Sequence, residues 1–163
     1  MNKLLSRFKQ SLSSRQLKWI LNTWPPLWFT GIRIESISSD FKYARVIMKL
    51  RWYNKNYVGV HFGGSLYSMT DPFYMLMLMR NLPANYIVWD YSAEIKFIKP
   101  GRNRVVAEFV LDDNVINLIR DKTAQGDKYI APFRVDIKNS QDELVCQVNK
   151  LVYVKLKQAS REA

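Results

Sequence analysis

The residues of this chain that could do chemistry are concentrated between positions 56 and 71. They include the only histidine, His61, a Gly63-Gly64 pair and the carboxylate of Asp71. Asp71 precedes a strongly apolar run, and a carboxylate in a largely apolar cleft is poorly solvated, so it takes a proton or attacks carbon more readily. Asp71 is therefore one candidate for acid–base or nucleophilic chemistry.

Asp71 also has a structural interpretation. An Asp N-cap followed by Pro72 at the first helical position is a helix-start signal. If the helix instead runs unbroken from Gly64, Pro72 removes the hydrogen bond to the Ser68 carbonyl and bends the axis. The backbone is irregular beside the carboxylate in both cases, and chemistry alone does not separate capping from catalysis.

The other polar residues of this segment have structural alternatives too. A single histidine beside a turn is commonly structural, and His61 cannot form a metal site alone. Gly63 and Gly64 would make a strand-to-helix turn, and Asn56 lies in a polar loop where Asn bonds its own backbone. No metal site is predicted.

The elements that must position these residues follow from hydrophobic periodicity. The segment from Gly64 to Leu82 is apolar on nearly every side after Pro72, which is typical of a buried helix. Alternating apolar and polar residues predict antiparallel strands before and after it, at 32–37, 43–52, 87–98, 104–111, 129–138 and 143–157, with a short helix at 115–120. This order predicts a single α+β domain.

The 163-residue chain has the composition of one globular domain with a basic surface. Its 25 Lys and Arg against 14 Asp and Glu give a net charge of +11, which favours anionic partners such as nucleic acid, an acidic membrane or a coenzyme A ester. No nucleic-acid motif accompanies the charge, so specific nucleic-acid binding is disfavoured. A lone cysteine, Cys146, and the lack of a membrane-spanning apolar run predict a cytoplasmic protein.

The first 34 residues contain no acidic side chain. Five apolar residues fall on one helical face among the basic ones, and these are Leu4, Leu5, Phe8, Leu12 and Trp19. Such a helix suits a transit peptide, a membrane surface or packing on the domain. The stiff aromatic turn at 24–28 favours packing. We therefore predict an amphipathic helix and Pro turn over 1–26 and the main domain over 27–163.

The spacing of the polar residues resembles that of a known enzyme family. Asn56, the His61-to-Gly64 stretch and Asp71 resemble the Asn, His-Gly-Gly, Asp signature of hotdog-fold acyl-CoA thioesterases of the phenylacetyl-CoA thioesterase type. Residues 92–102 are similar to the strand and Pro-containing loop that follow the helix in that superfamily. More narrowly, residues 63–75 look like a bacterial branch that has no firmly assigned reaction.

This resemblance covers about residues 31–157. It implies the hotdog fold, in which a curved antiparallel sheet of about six strands wraps a long central helix; here an extra N-terminal helix precedes it. The implied catalytic set is Asp71, Asn56, Gly63, Gly64 and His61. Asp71 would act as base or nucleophile, and the glycine amides would polarise the thioester carbonyl. One departure concerns His61, because Phe62 separates it from the glycine pair.

The resemblance also implies substrate contacts and partners. The implied substrate-binding residues are Asp90, Ser92, Glu94, Lys99 and Arg102. The first three would line one face of the strand that pairs across the twofold axis of hotdog dimers, and the two cations would hold phosphates. Expected partners are an acyl-CoA or acyl-carrier thioester, a second copy in a dimer or dimer of dimers, and a membrane surface through the N-terminal helix. No cofactor is expected beyond the substrate's coenzyme A.

Two other functions stay open at this point. His61-Phe62 suggests a hydroxyacyl dehydratase, although the helix carries no Glu to accompany the histidine and Asp71 would have to substitute for it. A non-catalytic acyl-CoA or lipid-binding hotdog protein is compatible with the basic N-terminal helix and the irregularity at Pro72.

Overall fold

A computed structural model describes residues 12–157 as six antiparallel strands and five helices. The helices are α1 (Ser14–Thr23), α2 (Pro25–Trp28), α3 (Gly63–Ser68), α4 (Phe73–Asn81) and α5 (Asp113–Thr123). The strands are β1 (Ile32–Ile37), β2 (Tyr43–Lys49), β3 (Tyr86–Phe97), β4 (Arg104–Val110), β5 (Lys128–Asn139) and β6 (Leu144–Leu156). Their order across the sheet is β1-β2-β4-β5-β6-β3, which confirms the α+β prediction.

One face of the sheet packs on the central helical segment. Alternate residues of β1, β2 and β4 are buried, as Val46 and Met48 in β2 and Phe109 in β4 illustrate. Phe109 contacts the ring of Phe73 at 4.6 Å between centroids, so the first turn of α4 packs directly on the sheet. The core therefore lies between the sheet and the segment that carries Asp71.

The central helix covers 63–81 and is interrupted between α3 and α4. The amide of Thr70 donates to the carbonyl of Tyr67, and that of Asp71 donates to Ser68, so the last turn of α3 tightens before the break. Pro72 is the N-cap of α4, and no side chain in the described part of the chain caps that helix end. The capping interpretation of Asp71 is therefore wrong, while the predicted irregularity beside its carboxylate is confirmed.

The edge strand β3 contains a β-bulge between Asp90 and Ser92. Asp90 lies opposite Val152 of β6, whereas Ala93 lies opposite Lys150, so one extra residue separates these two pairings. Because side chains alternate along a strand, the extra residue reverses which face the later residues occupy. Asp90 thus shares the inner face with Ala93 and not, as predicted, the outer face with Ser92.

Helix α1 begins at a capping box formed by Ser13 and Gln16 and packs on β1. The side chain of Asn22 donates to the carbonyl of Ile34 and accepts from the amide of Ile34, which attaches the helix end to the sheet edge. Leu21 is buried, but Trp19, predicted to pack, is largely exposed. The predicted helical residues before 12 lie outside the described residues, and the division at residue 26 stays a prediction.

Within residues 12–157, none of the helices is long and apolar enough to span a bilayer.

Candidate active site

Asp71 lies in the break between α3 and α4 with its carboxylate partly open to solvent. The hydroxyl of Tyr67, one turn earlier in α3, donates to Oδ1 of Asp71 at 3.2 Å. Burial and the nearby charge of Asp71 raise the pKa of Tyr67 to about 12, so the phenol keeps its proton and remains a donor near neutral pH. About half of the Asp71 side chain, 49%, remains exposed. Sequence reasoning identified Asp71 but not the hydroxyl that orients it.

A buried lysine from the far end of the chain completes this environment. Lys150 of β6 has no exposed side-chain surface, and its Nζ lies 3.3 Å from Oδ1 of Asp71 and 3.1 Å from Oδ2 of Asp90. The same Nζ donates to the backbone carbonyl of Asp71. An ammonium has three N–H groups, and these three oxygens can accept all of them. Lys150 therefore joins Asp71 and Asp90 into one charged cluster.

Asp90 is the less solvated of the two carboxylates in this cluster. Its Oδ1 is buried and accepts no hydrogen bond from the described residues. Burial raises the pKa of Asp90, and the negative charge of Asp71 acts in the same direction, whereas Lys150 opposes both. The structure thus brings together Asp71 and Asp90, which the sequence had assigned to different parts of a site.

Gly63 and Gly64 form the first turn of α3, as predicted. The first N–H groups of a helix have no carbonyl partner within it, so these two amides are available donors. A Cβ at Gly63 would lie 2.9 Å from the ring of Phe97, and one at Gly64 would lie 2.5 Å from the ring of Phe62. The close approach of these two rings is therefore a second reason why both positions are occupied by glycine.

Asn56 and His61 are held by the loop that precedes α3. Oδ1 of Asn56 accepts from the amides of Val58 and Val60, each at 3.1 Å, in the side-chain-to-backbone arrangement of a loop Asn. His61 is buried and its Nε2 donates to the carbonyl of Asn103 at 3.0 Å. Burial lowers the pKa of His61, which keeps the ring neutral. Neither residue makes a hydrogen bond to Asp71 among the described residues.

The remaining predicted substrate contacts lie on the surface. Ser92 and Glu94 are exposed on the outer part of β3, and Glu94 pairs with Lys96 at 3.7 Å. Lys99 pairs with Glu143 at 2.7 Å, and Arg102 is exposed in the loop before β4. They are therefore separate from the Asp71–Lys150–Asp90 cluster within one chain.

The cluster supplies a partly open carboxylate whose position is fixed from two sides. Within residues 12–157, both side-chain contacts of Asp71 reach Oδ1, so Oδ2 is the oxygen left to act on a substrate. Such an arrangement suits a general base or a nucleophile. A lone lysine within the apolar alternation of β6 was the available sequence signal for this cluster, since Lys150 falls between the buried Val148 and Val152.

The sheet order and central helix define a hotdog fold, and solved structures share it. Protein PA5026 of Pseudomonas aeruginosa, called a probable thioesterase, is 16% identical with a TM-score of 0.80, covering 89% of this chain and 97% of that one. The thioesterase HI1161 of Haemophilus influenzae is 16% identical with a TM-score of 0.66, covering 94% and 98%. A hypothetical thioesterase of Streptococcus pneumoniae, solved with coenzyme A, is 17% identical with a TM-score of 0.56, covering 80% and 91%.

Residues 13–154 match the family described as a domain of unknown function, DUF4442, and the chain belongs to that family. No curated protein matches the chain.

Proposed function

We propose that this protein is a thioesterase that hydrolyses an acyl-CoA or acyl-carrier thioester with Asp71 as its base or nucleophile. The observation that carries the proposal is the carboxylate of Asp71, half exposed at a helix break and held through Oδ1 by Tyr67 and Lys150. The thioesterase neighbours with the same fold support the reaction class.

The reaction follows from the free oxygen of Asp71. As a base, Oδ2 removes a proton from water while the water oxygen bonds to the thioester carbon, and the carbonyl oxygen becomes an oxyanion. The C–S bond then breaks as the carbonyl reforms, and the leaving thiolate takes the proton from Asp71. The products are a carboxylic acid and a free thiol.

The oxyanion requires donors, and the amides of Gly63 and Gly64 are the proposed ones. Gly63 begins α3 and Asp71 lies beyond its end, eight residues later, which is roughly 12 Å if the intervening residues advance at the helical rise and is too far for both to act on one carbonyl in one chain. We therefore assign Gly63 and Gly64 of one copy and Asp71 of another to a shared site. The unpaired edge of β3, 12 residues long, is the surface through which two copies would join.

The coenzyme side of the substrate is assigned to exposed cations. Lys99 and Arg102 follow β3, and both side chains are on the surface, where they can meet the phosphates of coenzyme A. Ser92 and Glu94, on the same edge strand, would face the second copy. The Streptococcus pneumoniae neighbour that binds coenzyme A supports this ligand class.

The decisive experiment is Asp71→Asn, followed by free-thiol release on acyl-CoAs of several chain lengths. Asn keeps the shape and an acceptor for Tyr67 but has no charge, so hydrolysis should fall on the order of 10²-fold to 10⁴-fold. Substrate binding, measured by calorimetry, should change little. A variant that keeps most of the wild-type rate would remove Asp71 from the reaction.

A non-catalytic acyl-CoA or lipid-binding role is the second candidate. It is favoured by the rings of Phe62 and Phe97, which lie against the glycines whose amides would have to reach the carbonyl. Wild-type protein that binds acyl-CoAs but releases no thiol would establish it. The dehydratase alternative finds no support, because His61 is buried and donates to Asn103.

A further inference from the structure

The surface of the protein carries an unusual number of exposed aromatic side chains. All five tryptophans are exposed, with relative exposures from 46% at Trp24 to 82% at Trp52. Most exposed aromatics fall on two segments, the α1–α2 region and the loop between β2 and α3. We call six of them the aromatic patch: Trp24, Trp28, Phe29, Trp52, Tyr53 and Phe62.

The members of the aromatic patch are neighbours in space. The amide of Trp28 donates to the carbonyl of Trp24, so the two lie one turn apart, and the rings of Trp28 and Phe29 are 5.0 Å apart. Phe29, Tyr53 and Phe62 line one surface cavity of about 370 Å³. The ring of Trp52 lies 5.5 Å from that of Tyr53. The patch is therefore continuous from α2 across to the start of α3.

The two segments that carry this patch are basic. Residues 12–34 and 49–64, which carry the patch, contain no Asp or Glu. Their cations are Arg15, Lys18, Arg33, Lys49, Arg51 and Lys55. None of the six takes part in an ion pair within residues 12–157, whereas Arg45, Lys99 and Arg134 elsewhere on the surface are paired with carboxylates.

We propose that the aromatic patch and its cations dock the protein on an anionic lipid surface. Tryptophan and tyrosine rings are favoured at the membrane–water boundary, where one end is apolar and the other hydrated. Unpaired Lys and Arg nearby are attracted to anionic headgroups. A second copy of this chain is a poorer occupant, because two identical basic surfaces repel each other.

Docking would place the bilayer beside the candidate site. The cavity that Phe29, Tyr53 and Phe62 line is also lined by Gly64 and Ser65 of α3, the helix whose first amides are the proposed oxyanion donors. An apolar chain leaving the bilayer would meet this cavity first. The docking inference goes beyond the proposed function and holds whether or not the protein hydrolyses thioesters.

The test is co-sedimentation of the full chain with vesicles of phosphatidylcholine alone or mixed with phosphatidylglycerol. We expect binding to the anionic vesicles, weaker at high salt, and little to the neutral ones. Trp28→Ser/Trp52→Ser should lower the affinity at least about tenfold, because it removes two exposed rings. Val110→Ser/Leu118→Ser, which removes two exposed apolar residues elsewhere, is the matched control and should bind like wild type.

A second pair tests the charges. Arg51→Gln/Lys55→Gln should lower affinity for anionic vesicles about 10-fold to 30-fold, and Lys122→Gln/Lys128→Gln, at exposed sites near α5, should have little effect. Equal binding to neutral and anionic vesicles, or equal losses in patch and control variants, would overturn the proposal. The proposal would also be overturned if the wild-type protein bound no vesicles and Trp28→Ser/Trp52→Ser had a lower oligomer mass than wild type in light scattering. The patch would then join copies of the chain.

Discussion

The ammonium of Lys150 lies 3.3 Å from Oδ1 of Asp71, a residue 79 positions earlier in the chain. Lys150 is completely buried in the middle of β6, while Asp71 is half exposed at the break between two helices. A buried ammonium is tolerated only where oxygens accept its N–H groups. The lysine thus depends on the two carboxylates for its burial, and Asp71 depends on the lysine for its orientation.

Lys150→Met should destabilise the protein and slow the proposed hydrolysis. Methionine fills similar volume without charge, so Asp71 and Asp90 lose their shared cation and repel each other. The loss should be below the about 3–5 kcal/mol seen when a fully buried pair is broken, because Asp71 is half exposed. The rate should fall about 10²-fold, because the Asp71 carboxylate loses the Lys150 contact to Oδ1 that helps to orient it. Urea unfolding and thiol release measure the two effects, with the exposed Lys128→Met as control.

The double variant Lys150→Met/Asp90→Asn separates stability from rate. Removing one carboxylate relieves the repulsion, so stability should partly recover while the rate stays low. If stability and rate recovered together in the double variant, the role of Lys150 would be structural only. Asp90→Asn alone should keep most of the wild-type rate. If Asp90→Asn alone were as slow as the double variant, the loss of rate would be assigned to Asp90.

Asp90 should make stability fall as the pH rises above 3.8, its ordinary pKa. Burial raises the pKa of Asp90 in the folded state, so the folded protein binds this proton more tightly than the unfolded chain. The stabilisation is complete below pH 3.8 and is lost as the pH rises through the raised value. Lys150 contacts Asp90 at 3.1 Å, and Asp71 and Tyr67 interact with Asp90 electrostatically.

Thermal melts of wild type and Asp90→Asn at several pH values between 3.5 and 7 test this prediction. The quantity compared is the difference in stability between the two proteins at each pH. Wild type should lose stability relative to the variant across that interval. A constant difference would mean that Asp90 ionises as easily in the folded state as in the unfolded chain.

The strands and their order along the chain, two before the helix and four after it, were predictable because hydrophobic alternation is a local signal; β1 occupies 32–37 as predicted. The position of Asp90 was not. Alternation placed it with Ser92 and Glu94, and the bulge after Asp90 reversed the faces. A bulge depends on how a strand pairs with its neighbour and on which side chains one face of the sheet buries. Here the bulge places Asp90 beside Lys150, which lies 60 residues later in the sequence. A contact between residues so far apart in the sequence produces no periodic pattern from which it could be predicted.

His61 should make the protein less stable as the pH falls below 6.5. Burial lowers the pKa of this histidine, so the unfolded chain binds the proton that the folded state resists. Stability is present above pH 6.5 and declines on acidification, by at most about 1.4 kcal/mol per pH unit. His61→Gln can still donate to the Asn103 carbonyl but does not titrate, so its stability should change less between pH 7.5 and pH 5.5. Chemical unfolding at each pH gives the comparison, and parallel curves would contradict it.

The shared site makes a prediction about mixtures of inactive variants. Gly63→Pro removes one proposed oxyanion donor, and proline is tolerated at this first position of α3, where the preceding Phe62 is already extended. The exposed ring of Phe97 can shift away from the added atoms. Gly63→Pro alone should lose about 10²-fold to 10³-fold in rate with its fold intact.

Refolding equal amounts of Gly63→Pro and Asp71→Asn together should restore activity. A dimer with one chain of each kind has one site with Gly63 and Asp71 both intact and one site with neither. Random pairing makes half of the dimers mixed, so about a quarter of the wild-type rate should return. Light scattering must show the same dimer mass for both variants and wild type. Activity that stays at the level of the separate variants, in a sample proven to contain mixed dimers, would place Gly63 and Asp71 in the same chain's site and remove the shared-site assignment.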